Sequence, residues 1–123
     1  MAKGKAAADS EKLAEIVVKG IQEKKGHSIK LLDLRNVGNA ISDFFIICHG
    51  TSNRQVDSIA DSVIEEVQKA TGEKPFNTEG KRQAEWVLLD YVNVVVHVFQ
   101  EQFREHFGLE ELWADAEIKP IEE

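Results

Sequence analysis

Phe44-Phe45-Ile46-Ile47-Cys48 is an unbroken apolar run of aromatic and β-branched residues. A run this short and this apolar reads as a strand buried on both faces. Gly50-Thr51-Ser52-Asn53 breaks it. Val56, Ile59, Ala60, Val63, Ile64, Val67 and Ala70 then recur at spacings of three and four. That spacing predicts an amphipathic helix, with Ser52 or Asn53 as N-cap and Gly72 as stop. A buried strand feeding a crossover helix predicts an α/β fold, a mixed sheet covered by helices.

Outward from this unit, the pattern continues in both directions. Upstream, Leu13, Ile16, Val17 and Ile21 have helical spacing, with Asp9 or Ser10 as candidate N-cap and Gly26 as candidate stop. Ile29 to Arg35 reads as a strand, and Asn36-Val37-Gly38-Asn39 as a turn. Downstream, Trp86 to Tyr91 and Val94 to Phe99 read as two strands joined tightly at Val92-Asn93. Valine is an unusual residue for such a turn. Glu101 to Ala116 reads as two short helical turns broken at Gly108. The expected order is α-β-β-α-β-β-α. No repeat and no Pro/Gly/Ser-rich linker divides the chain, so residues 9–116 are expected to form one domain. Residues 1–8 and 117–123 are expected to be flexible ends.

Length and charge narrow the function. The chain has 123 residues, enough for one core without covalent staples. Acidic residues outnumber basic ones, 22 to 15, for a net charge of −7. Phosphate backbones reward clustered Lys and Arg, so little direct nucleic-acid binding is expected and a basic partner fits better. The single cysteine, Cys48, excludes an internal disulfide and multi-cysteine metal sites. It fits a reducing compartment. No apolar run reaches the roughly 18 residues of a membrane span, and Met1 to Ala8 lacks the apolar stretch of a signal peptide. A cytoplasmic location is expected, with no membrane association.

Little in the chain asks for catalysis. His27, His49, His97 and His106 form no metal-ligand motif, and no metal or other cofactor is expected. Cys48 and His49 are adjacent on a strand, so they point to opposite faces and cannot act as nucleophile and base. Gly50 to Gln55 lies between strand and helix, where phosphate loops occur, but lacks their glycine–lysine pattern. Helix capping explains it; anion binding supported by Arg54 is the alternative. Asp90 could serve a nucleotidyltransferase-like site beside that loop, but Asn93 stands where a second carboxylate would be wanted.

Two features suggest binding instead. His97 interrupts Val94-Val95-Val96-His97-Val98-Phe99, so its ring must be hydrogen-bonded or face a partner. Trp86, Phe99, Phe103, Phe107, Leu109, Leu112 and Trp113 concentrate large apolar groups among Glu101, Arg104, Glu105, Glu110, Glu111 and Asp115. Packing of a C-terminal helix explains part of this. Aromatic anchors with an acidic rim also describe a face for a basic protein.

These stretches resemble a known family. Ser42-Asp43-Phe44-Phe45-Ile46-Ile47-Cys48-His49-Gly50-Thr51-Ser52-Asn53-Arg54-Gln55-Val56 is similar to the first signature of the ribosomal silencing factors (RsfS, or Iojap-related proteins). Glu85-Trp86-Val87-Leu88-Leu89-Asp90-Tyr91 with Val94 to Phe99 resembles the second. Arg104-Glu105-His106-Phe107-Gly108-Leu109-Glu110-Glu111-Leu112-Trp113 resembles the third. The resemblance implies a mixed α/β sheet related to nucleotidyltransferases but without known catalysis. It implies binding to the large ribosomal subunit through its ribosomal protein number fourteen, which blocks joining of the small subunit and represses translation when nutrients are scarce. It also implies a homodimer in isolation. Carried over by position, the partner-binding candidates are Trp86, Leu88, His97, Phe99, Arg104, Phe107, Leu109, Leu112 and Trp113. One departure is Val92-Asn93, where the family usually has Gly-Asp. Another is Phe107, where Tyr is commoner.

Overall fold

The computed structural model describes the backbone from Lys3 to Glu123 and side chains from Asp9 onward. The elements run α1 (Lys3–Glu23), β1 (His27–Asp33), β2 (Phe44–Gly50), α2 (Asn53–Thr71), β3 (Asn77–Glu79), β4 (Trp86–Asp90), β5 (Val94–Gln100), α3 (Glu101–Phe107), α4 (Leu109–Leu112) and β6 (Glu117–Ile121). The strands form one six-stranded mixed sheet in the order β3-β4-β5-β2-β1-β6. β2 and β5 are parallel, and α2 lies in the connection between them. The remaining neighbours are antiparallel. This is the expected mixed α/β sheet. No described helix is long and apolar enough to cross a membrane.

The two faces of the sheet are covered differently. On the first, α1 and α2 bury Leu13, Val17, Ile21, Val56, Ile59 and Val63 against Ile46, Cys48, Val87, Leu89, Val96 and Val98. α2 is capped as its sequence predicts. The Ser52 hydroxyl accepts from the Gln55 N–H at 3.1 Å, and Gly72 closes the helix at φ 78°. Gly20 lets α1 and α2 touch, because a Cβ there would lie 2.9 Å from the Val63 Cα. On the second face, Leu32, Leu34, Ile47 and Phe99 are covered by α3, α4 and the loop after β1.

The ends depart from expectation. α1 begins at Lys3 rather than after a cap at Asp9 or Ser10. Ala6-Ala7-Ala8 are strong helix formers, so the helix runs through them. Ser10 is buried and donates to Asp43 Oδ2 at 2.7 Å instead of capping. Met1 and Ala2 lie outside the described residues. The stop after α1 is also shifted: Lys25, not Gly26, takes the left-handed backbone, at φ 58°.

The tail at 117–123, expected to be flexible, contributes strand β6, paired in register from Ile29–Ile121 to Asp33–Glu117. Glu117, Lys119 and Pro120 hide this strand from a pattern search. Proline is tolerated because β6 is an edge. β3 was likewise invisible, being three exposed residues without an apolar side chain. β1 starts and ends two residues earlier than expected, with a bulge between His27 and Lys30.

Candidate functional site

The second face of the sheet gathers the aromatic residues. Strand alternation places Trp86 and Leu88 of β4, Val95, His97 and Phe99 of β5, and Phe45, Ile47 and His49 of β2 on this side. The register aligns them, with Trp86 opposite Phe99 and Leu88 opposite His97, and Phe45 beside Val95.

Gln100 ends β5 and α3 starts at once. Gly108 then takes φ 58° and turns the chain into α4. A left-handed backbone at this position is what glycine permits at least cost. The turn folds the C-terminal helices back over the face. Phe103, Leu109 and Trp113 pack on the second cluster. The Trp86 indole stacks on Phe99 with ring centres 5.0 Å apart, and Phe107 lies 4.7 Å away.

Two polar contacts organise this apolar layer. Trp86 Nε1–H donates to His97 Nδ1 at 3.1 Å. Accepting there leaves the proton of the neutral ring on Nε2. That Nε2 is buried and has no hydrogen-bond partner among the described residues. Burial pushes the His97 pKa down to about 3, so the ring is neutral at physiological pH. Arg104 supplies the second contact. Its Nε donates to Glu110 Oε1 at 2.8 Å, and its Nη1 lies 3.0 Å from His49 Nδ1. Arg104 therefore ties α3 to α4 and both to β2. Burial first, and then the Arg104 charge, lower the His49 pKa.

The nine partner-binding candidates separate into three depths. Phe99 is fully buried and His97 is 3% exposed. The Arg104 side chain is turned inward, 10% exposed. Trp86, Leu88, Leu109 and Trp113 are half-buried. Phe107 is 45% exposed and Leu112 74%. Around them Glu101, Glu105, Glu111 and Asp115 are exposed, with Glu110 half-buried. The result is an apolar ridge on α3 and α4, edged by acids and seated on buried aromatics.

Phe45 belongs to this site and was not singled out from the sequence. Its ring meets His97 edge-on at 4.8 Å and Trp113 at 5.6 Å. Alternation from buried Cys48 carried the signal: Phe45, Ile47 and His49 must share the opposite face.

The other candidates are occupied structurally. Gln55 Oε1 accepts from the Thr51 N–H at 2.8 Å. Its Nε2 donates to the Lys24 and Lys25 carbonyls at 3.3 and 3.2 Å. The Gly50–Gln55 loop is thus bound to its own helix and to the turn after α1. Asp90 Oδ1 accepts from the Val92 N–H at 2.7 Å, a turn contact. The Cys48 thiol is fully buried in the first core, and burial pushes its pKa up to about 12. Among the described residues, no group of three or more His, Cys, Asp and Glu could hold a metal ion.

Comparisons with known proteins agree on one family. The family model described as "Ribosomal silencing factor during starvation" matches residues 7–123. The chain is 37% identical over 113 residues to the ribosomal silencing factor RsfS of Halalkalibacterium halodurans, covering 92% of this chain and 95% of that one. It is 41% identical over 102 residues to RsfS of Haemophilus influenzae, covering 83% and 98%. Its fold superposes on a crystal structure of a Chromobacterium violaceum protein with a TM-score of 0.80, at 31% identity and 85% coverage of both chains.

Proposed function

The chain belongs to the ribosomal silencing factor family, and from that premise we propose that it binds the large ribosomal subunit through its basic ribosomal protein number fourteen. Occupying that surface excludes the small subunit and represses translation under nutrient limitation. The mechanism is steric and needs occupancy rather than catalysis or a cofactor. It places the chain in the cytoplasm, where ribosomes are.

The observation that carries the reading is the acid-edged apolar ridge. Phe107 and Leu112 are exposed at 45% and 74%, beside half-buried Trp86, Leu88, Leu109 and Trp113. Exposed large apolar groups backed by rigid aromatics are what a protein partner buries. The surrounding carboxylates and the net charge of −7 suit a basic partner and oppose direct contact with ribosomal RNA. In this reading Phe107, Leu112, Trp86, Leu88, Leu109 and Trp113 meet the partner. Phe99, His97 and Arg104 hold them in place.

Binding to the isolated basic ribosomal protein tests the reading. Leu112→Ala and Trp113→Ala should each weaken it, the tryptophan change by about 30-fold or more if Trp113 is a hot spot. Unchanged affinity in folded variants would move the contact to another face. Without ribosomes the chain is expected to form a homodimer, so light scattering returning the mass of one chain would contradict that part.

A further inference from the structure

We infer that His97 is a positioning residue for the partner face: its Nδ1 fixes the in-plane orientation of the Trp86 indole that α3 and the ribosomal partner pack against. The inference rests on the binding reading above and adds to it a residue that never meets the partner.

Three observations carry it. The indole has one polar atom, Nε1–H, and that atom is committed to His97 at 3.1 Å. The other ring contacts are apolar. Phe99 stacks on the indole at 26° between planes, and Phe107 meets it at 43°. Contacts of this kind fix the distance between rings but leave them able to slide and turn in their own planes. The hydrogen bond is directional and supplies the missing restraint.

The third observation is what the imidazole lacks. Its Nε2 is buried with no partner among the described residues. A buried polar atom left unsatisfied opposes folding. An apolar ring would sit among Phe45, Trp86 and Phe99 without that penalty. What His97 adds here, and Phe could not, is an acceptor aimed at Trp86. The ring accepts only while neutral, and its burial at 3% exposure keeps it so. An indole ordered before binding loses less freedom when the partner arrives.

A double-mutant cycle on large-subunit binding, with full-length chains, tests this. His97→Phe removes the acceptor and keeps a ring. Trp86→Phe removes the indole N–H. His97→Phe should weaken binding ~2- to ~10-fold in the wild-type background, the worth of one hydrogen bond. It should change nothing once residue 86 is Phe. His97→Asn, which returns an oxygen near the Nδ1 position, should restore most of the loss. An equal loss in both backgrounds overturns the inference.

Amide-type proton exchange gives an independent readout. The Trp86 indole N–H of the wild-type chain should be protected from solvent in nitrogen–proton spectra, and should lose protection in His97→Phe. An indole that exchanges freely in the wild type overturns the inference, even if a variant fails to fold. A wild-type chain with a protected indole and no affinity for the large subunit would instead overturn the binding reading.

Discussion

Trp86 and His97 are diagonal neighbours across the antiparallel β4–β5 pair, and the indole N–H of one ends on the Nδ1 of the other at 3.1 Å. That bond needs a neutral imidazole, and burial holds the His97 pKa near 3, below the usual histidine value of about 6.5. The unfolded chain takes up a proton near pH 6.5 while the folded chain does not. The stability this group contributes is therefore complete above about pH 6.5 and is lost progressively as pH falls toward 3. The slope is at most about 1.4 kcal/mol per pH unit. Urea unfolding at pH 7 and pH 5 should show a loss in the wild type that is clearly smaller in His97→Phe. Equal losses in both proteins would mean His97 titrates normally.

Val92 bears strain that glycine would relieve. It sits at φ 74° in the turn between β4 and β5 and is 54% exposed. A β-branched residue rarely adopts that backbone. The conformation is held from three sides. The Val92 N–H donates to Asp90 Oδ1, its carbonyl accepts from the Ser42 hydroxyl at 2.9 Å, and the Tyr91 N–H donates to the Val94 carbonyl at 2.9 Å. Val92→Gly should stabilise the fold by about 0.5–1 kcal/mol, after the greater freedom of glycine in the unfolded chain is deducted. Thermal unfolding should show a rise of a few degrees; a fall would mean the valine side chain supports the turn.

Gly20 should tolerate nothing larger. The Cβ of an alanine would meet the Val63 backbone at 2.9 Å. The Ser62 hydroxyl, which donates to the Gly20 carbonyl at 2.8 Å, holds the helices at this separation. Gly20→Ala should cost roughly 1–3 kcal/mol despite the better helix propensity of alanine. Denaturant midpoints would check it, and an unchanged midpoint would mean α1 and α2 can separate freely.

Cys48 should be inert in the native protein. It is fully buried, and its thiol is pushed up to a pKa of about 12, so the reactive thiolate is scarce at neutral pH. A thiol reagent should modify it only as fast as the chain opens. Rapid stoichiometric labelling under native conditions would show that the strand is accessible.

The reach of the sequence follows from how much apolar surface each element buries. β2 and α2 were legible because Phe44 to Cys48 and Val56 to Val67 carry strong two-sided and 3.6-residue patterns. β6 was not, because Ile118, Lys119 and Pro120 hold no alternation, and its pairing comes from β1 rather than from its own residues. At the site, the residue types of the aromatic face were visible but their depth was not. Phe99 and Phe107 look alike in the sequence, yet one is fully buried and the other 45% exposed. Helix α3 covers the first and carries the second on its rim, and only tertiary packing decides that. The inward turn of Arg104 likewise depends on Glu110 and His49. They lie on two other elements, so sequence spacing does not reveal the contact.

The proposed function requires the chain to occupy the large ribosomal subunit and keep the small one away. Co-sedimentation with separated subunits, with subunit joining scored in the same gradients, tests it most directly. The protein should travel with the large subunit alone, and joined ribosomes should decline as it is added, less so for Trp113→Ala. Equal binding to both subunits, binding to neither, or undiminished joining at saturation would contradict it.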